Sequence, residues 1–203
     1  MKSIYVACTC HCCGYKTHKQ SETLIISDFE PHLIKALKEN QFFHTQCPVC
    51  QSKLTFFHPC LCIDKTYHLI LYMKPIKERK QDDHKIVASY SYRKRYISSI
   101  TDICEQYRIV EDGFDDRIIQ ILKAKILKKR EDIIDIQYQD YDCNSNTLWF
   151  QIQNKESIDT VAVYKSSYDV IKKHLLPMQT DYFEEINIVW AQHYLDHMEK
   201  EKL

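Results

Sequence analysis

Two short cysteine motifs decide the fold of this chain: Cys10-His11-Cys12-Cys13-Gly14 and Cys47-Pro48-Val49-Cys50. In each motif two residues separate a pair of cysteines, so both sulfur atoms of a tight turn can point at one ion. Pro48 sets φ for such a turn, and Gly14 can take the positive φ needed just after the second cysteine. The two motifs predict a tetrahedral metal site whose four thiolate ligands are Cys10, Cys13, Cys47 and Cys50.

The distance between the motifs along the chain does not prevent this site from forming. The segment between Cys13 and Cys47 has 33 residues, and closing a loop of that length costs about 3 kcal/mol. A structural zinc ion contributes about 10–16 kcal/mol in small modules, so metal binding outweighs loop closure. Four thiolates complete the coordination of Zn²⁺ and leave no position for water or substrate. The sequence therefore predicts a structural zinc site, not metal-catalysed hydrolysis.

Cysteine usage also bears on the cellular compartment. Eight of the ten cysteines lie between Cys8 and Cys62. The apolar run before them, Ile4-Tyr5-Val6-Ala7, is shorter than the roughly 7–15 residues of a signal-peptide core. No window approaches the roughly 18 apolar residues of a membrane span. We therefore expect a cytoplasmic protein with reduced thiols and no membrane association.

The remaining N-terminal cysteines leave an alternative open. Cys8, Cys10 and Cys12 alternate with other residues along the chain, and so do Cys60 and Cys62. On strands each alternating set would share one face, where it could form a second metal site or a redox pair. Free cysteine is also a common small buried residue, and this second interpretation is the favoured one for Cys60 and Cys62.

Composition and charge divide the chain into two parts. The stretch from Lys74 to Lys85 is polar throughout and is predicted to be a linker or long surface loop. It would separate an N-terminal metal module, residues 1–75, from a C-terminal domain, residues 86–203. The chain has only two glycines, which excludes the glycine-rich phosphate loops of Rossmann and P-loop proteins.

Local patterns predict an α+β fold, with a zinc-ribbon-like N-terminal module and an α+β domain that contains a small antiparallel sheet. In the first part, strands are expected at Ile4–Ala7 and Leu24–Ile26, and a helix at Asp28–Glu39 with Pro31 in its first turn. In the second part, two helices precede three strands, and two further helices follow. Asp115 is the predicted cap of the second helix.

Basic residues form two clusters that suggest a binding role. The formal net charge is zero, so no polyanionic partner is required. Nucleic acid is a possible partner of these clusters, an unidentified protein is the favoured one, and a solvated helix face is the simplest explanation of the second cluster. The basic residues concerned are Arg93, Lys94, Arg95, Lys125, Lys128 and Lys129.

No arrangement of residues typical of an active site is recognised. No serine, cysteine or lysine lies in a known nucleophile motif. The adjacent carboxylates Asp115 and Asp116 would point about 100° apart on a helix and would not converge on one proton. The chain is therefore not predicted to be an enzyme.

The span from Val6 to Pro75 resembles the CpXC domain, a zinc-ribbon-like bacterial and archaeal domain. The later residues Ile86-Val87, Glu105 and Phe114-Asp115-Asp116-Arg117 resemble the region that often follows this domain. Cys10, Cys13 and Gly14 match its first motif, and Cys47, Pro48 and Cys50 match its second. Gln51 stands where the family usually has glycine. The resemblance implies a bacterial metal-binding protein and supplies no activity.

The same two motifs are also similar to the two metal-binding turns of rubredoxin, in which the ion is iron and the function is electron transfer. The stretch between the motifs has one proline, Pro31, and no glycine after Gly14, whereas rubredoxin is rich in both residues there. Zinc is therefore the favoured metal. Iron electron transfer, or a thiol redox function of the same cysteines, is the alternative.

Overall fold

The N-terminal part of the chain contains two antiparallel β-hairpins, and each has a cysteine motif in its turn. The computed structural model describes residues 3–80, 83, 85, 91–177 and 181–200. The first elements, in chain order, are β1 (Ser3–Thr9), β2 (Lys16–Glu22), β3 (Leu24–Ile26), α1 (Pro31–Lys38), β4 (His44–Gln46) and β5 (Lys53–Thr55). Strand β1 pairs with β2, and β4 pairs with β5. The helix begins at Pro31, the position at which proline costs no backbone hydrogen bond.

A four-stranded sheet follows, built from β3 and three later strands, β6 (Cys60–Asp64), β7 (Leu69–Met73) and β8 (Arg93–Ile97). The order is β3-β6-β7-β8. The outer pairs are parallel and the central pair β6–β7 is antiparallel. Leu69, Ile70 and Leu71 are fully buried, as expected for a central strand covered on both faces.

The polar stretch after β7 contains a buried ion pair. The ammonium of Lys74 lies 2.9 Å from a carboxylate oxygen of Asp83, and both residues are buried. The Tyr96 hydroxyl donates to the same carboxylate at 2.8 Å. Burial first, and then the Asp83 carboxylate, raise the pKa of Tyr96. Residues of the predicted linker therefore form part of the packed structure.

The C-terminal part has the predicted order of elements: α2 (Ile100–Glu111), α3 (Asp116–Lys129), β9 (Asp135–Asp142), β10 (Thr147–Gln153), β11 (Ile158–Tyr164), α4 (Lys165–Lys172) and α5 (Ile188–Lys200). The three strands form an antiparallel sheet in the order β11-β10-β9. The Asp115 carboxylate accepts the N–H of Arg117 at 3.0 Å and caps α3. Buried residues of this core include Ile118, Ile119 and Phe150.

The predicted α+β class is confirmed, with five helices and several small sheets among the described residues. The chain forms two compact units, one of Met1–Cys104 with Gln179–Glu184 and one of Glu105–Met178 with Glu185–Leu203. The division between these units falls inside α2. The domain limits at residues 75 and 86 stay a prediction, and residue 86 lies outside the described residues.

Candidate metal centre

The two hairpin turns that hold the cysteine motifs have the same backbone geometry. In the first turn the Gly14 N–H donates to the Cys10 carbonyl at 2.9 Å, and in the second the Gln51 N–H donates to the Cys47 carbonyl at 3.0 Å. Gly14 has φ 73° and Gln51 has φ 59°, so both lie in the left-handed region. Gln51 adopts the backbone conformation that glycine takes most easily. The missing glycine therefore does not change the shape of the second turn.

The four predicted ligands come together at the ends of these hairpins. The sulfur atoms of Cys10, Cys13, Cys47 and Cys50 all lie within 4.8 Å of one another. The Cys10–Cys50 and Cys13–Cys47 sulfur pairs are each separated by 3.6 Å. A regular tetrahedron with Zn–S bonds of about 2.3 Å has edges of about 3.8 Å. The four sulfurs can therefore hold one metal ion, and all four cysteines are free thiols.

Ser52 is a polar neighbour of the cluster that the sequence did not indicate. Its hydroxyl lies 3.1 Å from the sulfur of Cys10 and 3.1 Å from that of Cys50. The Ser52 hydroxyl is the largest influence that lowers the pKa of Cys10 to about 6, and it also lowers the pKa of Cys50. A hydroxyl that donates to a thiolate stabilises the charged form that binds metal.

The pKa of Cys13 shifts in the opposite direction. The Tyr15 backbone lowers the pKa of Cys13, but burial and the neighbouring thiols outweigh it and raise that pKa to about 12. Four thiols at such short distances cannot all ionise without a compensating cation. A dication supplies the positive charge that lets all four thiols ionise. Its binding therefore displaces the protons that the free thiols still carry.

The remaining N-terminal cysteines are not members of this cluster, although the thiol of Cys12 interacts with that of Cys50, which raises the pKa of Cys12. Cys60 and Cys62 are buried in β6, and burial raises the pKa of the Cys60 thiol. Across the described part of the chain, the four-cysteine cluster is the one close group of three or more metal-ligating side chains. Cys8, Cys12, Cys60 and Cys62 therefore do not form a second metal site among the described residues.

Two histidines near the cluster in sequence use their ring nitrogens elsewhere. The His58 ring lies 2.9 Å from the Ser21 hydroxyl and 3.0 Å from the Pro59 carbonyl. Burial lowers the pKa of His58. The His44 ring lies 2.9 Å from the Thr55 hydroxyl and 3.1 Å from the Asn40 side chain. Both rings have polar partners in the fold and neither belongs to the sulfur cluster.

The basic residues are divided between interior and surface. Lys94 and Arg95 are each 1% exposed. The Arg95 guanidinium donates to the Glu184 carboxylate at 2.9 Å. Lys125, Lys128 and Lys129 are exposed on α3. The second cluster is therefore a surface feature, and most of the first is not.

A family comparison agrees with the geometry of the cysteine site. The family model described as CpXC protein matches residues 8–123. The chain belongs to the CpXC family. The match contains both cysteine turns and continues into α3, so it also covers the later residues, up to Arg117, that resemble the region after the domain. No curated protein and no solved structure matches the chain.

None of the helices in the described ranges has both the length and the apolar character needed to cross a bilayer.

Proposed function

We propose that this CpXC protein is a zinc-stabilised binding module whose partner is another protein. The observation that carries the proposal is the convergence of four cysteine sulfurs within 4.8 Å of one another. A four-thiolate zinc ion has a complete coordination shell and acts by holding the surrounding chain in place. The role of the metal is then to keep the two turns, and the surface that they present, in one conformation.

Zinc is proposed over iron, although both metals accept four tetrahedral thiolates. The segment between the motifs supports zinc, because it has one proline and no glycine after Gly14, whereas rubredoxin is rich in both residues there. The ten free cysteines support a reducing compartment, for which we propose the cytoplasm.

A protein partner is supported by the side chains that the turns expose. Val49, between two of the ligands, is 62% exposed, and Tyr15, just after the first motif, is 43% exposed. Exposed apolar and aromatic side chains on a rigid backbone are typical of protein contact sites. Burial of Lys94 and Arg95 removes two of the six basic residues that favoured nucleic acid.

The metal is tested by elemental analysis and an absorption spectrum of the purified full chain. We expect one zinc per chain and no absorption in the visible range, since Zn²⁺ has a filled d shell. A protein with visible charge-transfer bands and stoichiometric iron would contradict zinc and favour the redox alternative.

The partner class is tested by comparing wild type with Val49→Asp in pull-downs from the native host. The variant is expected to keep its metal and to lose its specifically bound proteins, because a charge replaces an exposed apolar contact. Val189→Asp is the matched control, since Val189 is similarly exposed at 57% but lies on α5. Binding to nucleic acid that falls steeply with salt and requires Lys125, Lys128 and Lys129 would contradict a protein partner.

A further inference from the structure

Strand β11 is an edge strand of the sheet in the second unit. It spans Ile158–Tyr164 and stands first in the strand order β11-β10-β9. Among the described residues β11 pairs with β10 alone, in an unbroken antiparallel register with Thr147–Gln153. Val161 and Val163 pack against the core of the unit. One face of the strand is therefore held in place, while its outer edge is open to another strand.

Two hydrogen bonds at the ends of β11 establish which backbone groups point outward. At one end the Asn154 N–H donates to the Ser157 carbonyl at 3.0 Å, and at the other the Lys165 N–H donates to the Asn146 carbonyl at 2.8 Å. Residues of an antiparallel pair alternate between those that bond to the partner strand and those that do not. The odd-numbered residues of β11 therefore bond to β10, and the even-numbered residues direct their N–H and C=O groups outward.

The outward edge of β11 lacks the features that usually protect an edge strand. The Thr160 N–H agrees with the outward direction, because it donates at 2.8 Å to the side chain of its neighbour Asp159. The strand has no proline, no lysine and no bulge, although these features commonly keep a natural edge from pairing. The residues with outward backbone groups are Ile158, Thr160, Ala162 and Tyr164, of which the first and last are 65% and 71% exposed.

The opposite edge of the same sheet is protected. The Tyr138 N–H of β9 donates to the buried carboxylate of Glu105 at 2.6 Å. The register between β9 and β10 shifts at Trp149 and Phe150, and such a bulge bends a strand and interrupts its pairing. Strand β9 also contains three aspartates. In this sheet β11 is therefore the edge that is suited to accept another strand.

The sequence of β11 matches itself when two copies run antiparallel. When Val161 lies opposite Val161 on a two-fold axis, Ile158 lies opposite Tyr164. In the same register Thr160 lies opposite Ala162. All of the outward residues are then paired at once, and each pair can exchange two backbone hydrogen bonds. The contacts of Ile158 with Tyr164, and of the two valines, are of the apolar and aromatic kind that stabilises neighbouring strands.

The charge of β11 distinguishes between the two strand orientations. Asp159 is the one charged residue of the strand. In the antiparallel register Asp159 of the second copy lies four residues further along, about 13 Å away at about 3.3 Å per residue. That separation exceeds the Debye length of about 8–10 Å, so salt screens the repulsion. A parallel pair in register would place the two carboxylates side by side, which is destabilising.

We propose that β11 is a self-association surface, at which a second copy of this chain adds its own β11 in the antiparallel orientation. The two three-stranded sheets then form one six-stranded sheet. The occupant is a second copy because a single register pairs every outward residue and keeps the two Asp159 carboxylates apart. The surface does not include the cysteine turns, so the proposal does not depend on the metal or its identity.

The test is sedimentation velocity of the metal-loaded full chain over a range of concentrations, with a phosphine reductant present. The reductant excludes disulfide-linked dimers through exposed residues such as Cys12 and Cys143. We expect a reversible dimer with twice the mass of one chain. Hydrogen exchange at the Ala162 and Tyr164 amides should slow as the dimer forms, because these N–H groups gain acceptors.

Replacing Ala162 with proline tests the edge directly. The Ala162 N–H points away from β10, so Ala162→Pro removes no hydrogen bond within the sheet, and proline is tolerated at such edge positions. Each copy loses one donor to the other, so the dissociation constant of the dimer should rise about tenfold or more. Ala162→Lys is the second variant if proline disturbs the strand, since lysine protects natural edges.

Val189→Lys is the matched control for the lysine variant. Val189 is 57% exposed on α5, and the change should leave the dimer as stable as that of the wild type. A chain that stays monomeric at every concentration would overturn the proposal. A dimer that both Ala162 variants leave unchanged, or one in which the Ala162 and Tyr164 amides gain no protection, would overturn it as well.

Discussion

Replacing Cys47 with serine is expected to abolish metal binding and to unfold the N-terminal module. Cys47 is fully buried, and its sulfur lies 3.6 Å from that of Cys13. A serine hydroxyl does not ionise at neutral pH and is a poor zinc ligand. Because structural zinc contributes about 10–16 kcal/mol in small modules, its loss exceeds the total stability of many domains, about 5–15 kcal/mol. Metal content per chain and the dispersion of the β1 and β2 amide signals measure the effect.

Cys12→Ser is the matched control for this experiment. Cys12 lies between two ligands in the sequence, but it is exposed and is not part of the four-sulfur cluster. The Cys12 variant should keep one metal per chain and an unchanged melting temperature. If Cys47→Ser kept full metal content and wild-type stability, the proposed ligand set would be wrong.

Replacing Glu105 with alanine is expected to destabilise the second unit by about 3–5 kcal/mol, the usual cost of removing one partner from a buried ion pair. Both carboxylate oxygens of Glu105 lie 2.8 Å from the Lys123 ammonium, and one accepts the Tyr138 N–H at 2.6 Å. Glu105 and Lys123 are 4% and 5% exposed. Alanine would leave a buried cation and a buried N–H without their acceptor.

Urea unfolding followed by tryptophan fluorescence measures this loss, because both tryptophans, Trp149 and Trp190, lie in the second unit. Glu156→Ala, at an exposed position between β10 and β11 in the same unit, should change stability by less than about 0.5 kcal/mol. The double variant Glu105→Leu with Lys123→Met should be more stable than Glu105→Ala, since it leaves no buried unpaired charge. A loss below about 1 kcal/mol in Glu105→Ala would show that the pair contributes little.

Some elements could not be predicted because their residues have no local signal. Strand β2, Lys16–Glu22, is polar and lacks the apolar alternation of a half-buried strand. It forms because the turn at the first cysteine motif brings it against β1. The sequence suggests a binding role for the basic cluster of Arg93, Lys94 and Arg95 in strand β8, yet two of the three are buried. The Arg95 guanidinium pairs with Glu184, a residue 89 positions away, and no local pattern indicates such a partner.

The boundary between β8 and α2 shows the same limitation. Ile97 shares helical spacing with Ile100 and Cys104 in the sequence, but it ends β8, and the helix begins at Ile100. A single apolar residue fits both the 3.6-residue period of a helix and the two-residue period of a strand. The pairing of Ile97 with Met73 of β7 decided that Ile97 belongs to the strand.

The sequence by itself determined the two cysteine turns, the α+β class and the order of elements in the C-terminal part. These features depend on spacings of a few residues: the two-residue gaps between cysteines, the cap at Asp115 and the apolar periods of the helices. Only the tertiary structure decided that Ser52 contacts two of the sulfurs and that Lys94 and Arg95 are buried. Each of these depends on segments distant along the chain that meet in space, and the free energy of such contacts is not encoded in any short stretch of residues.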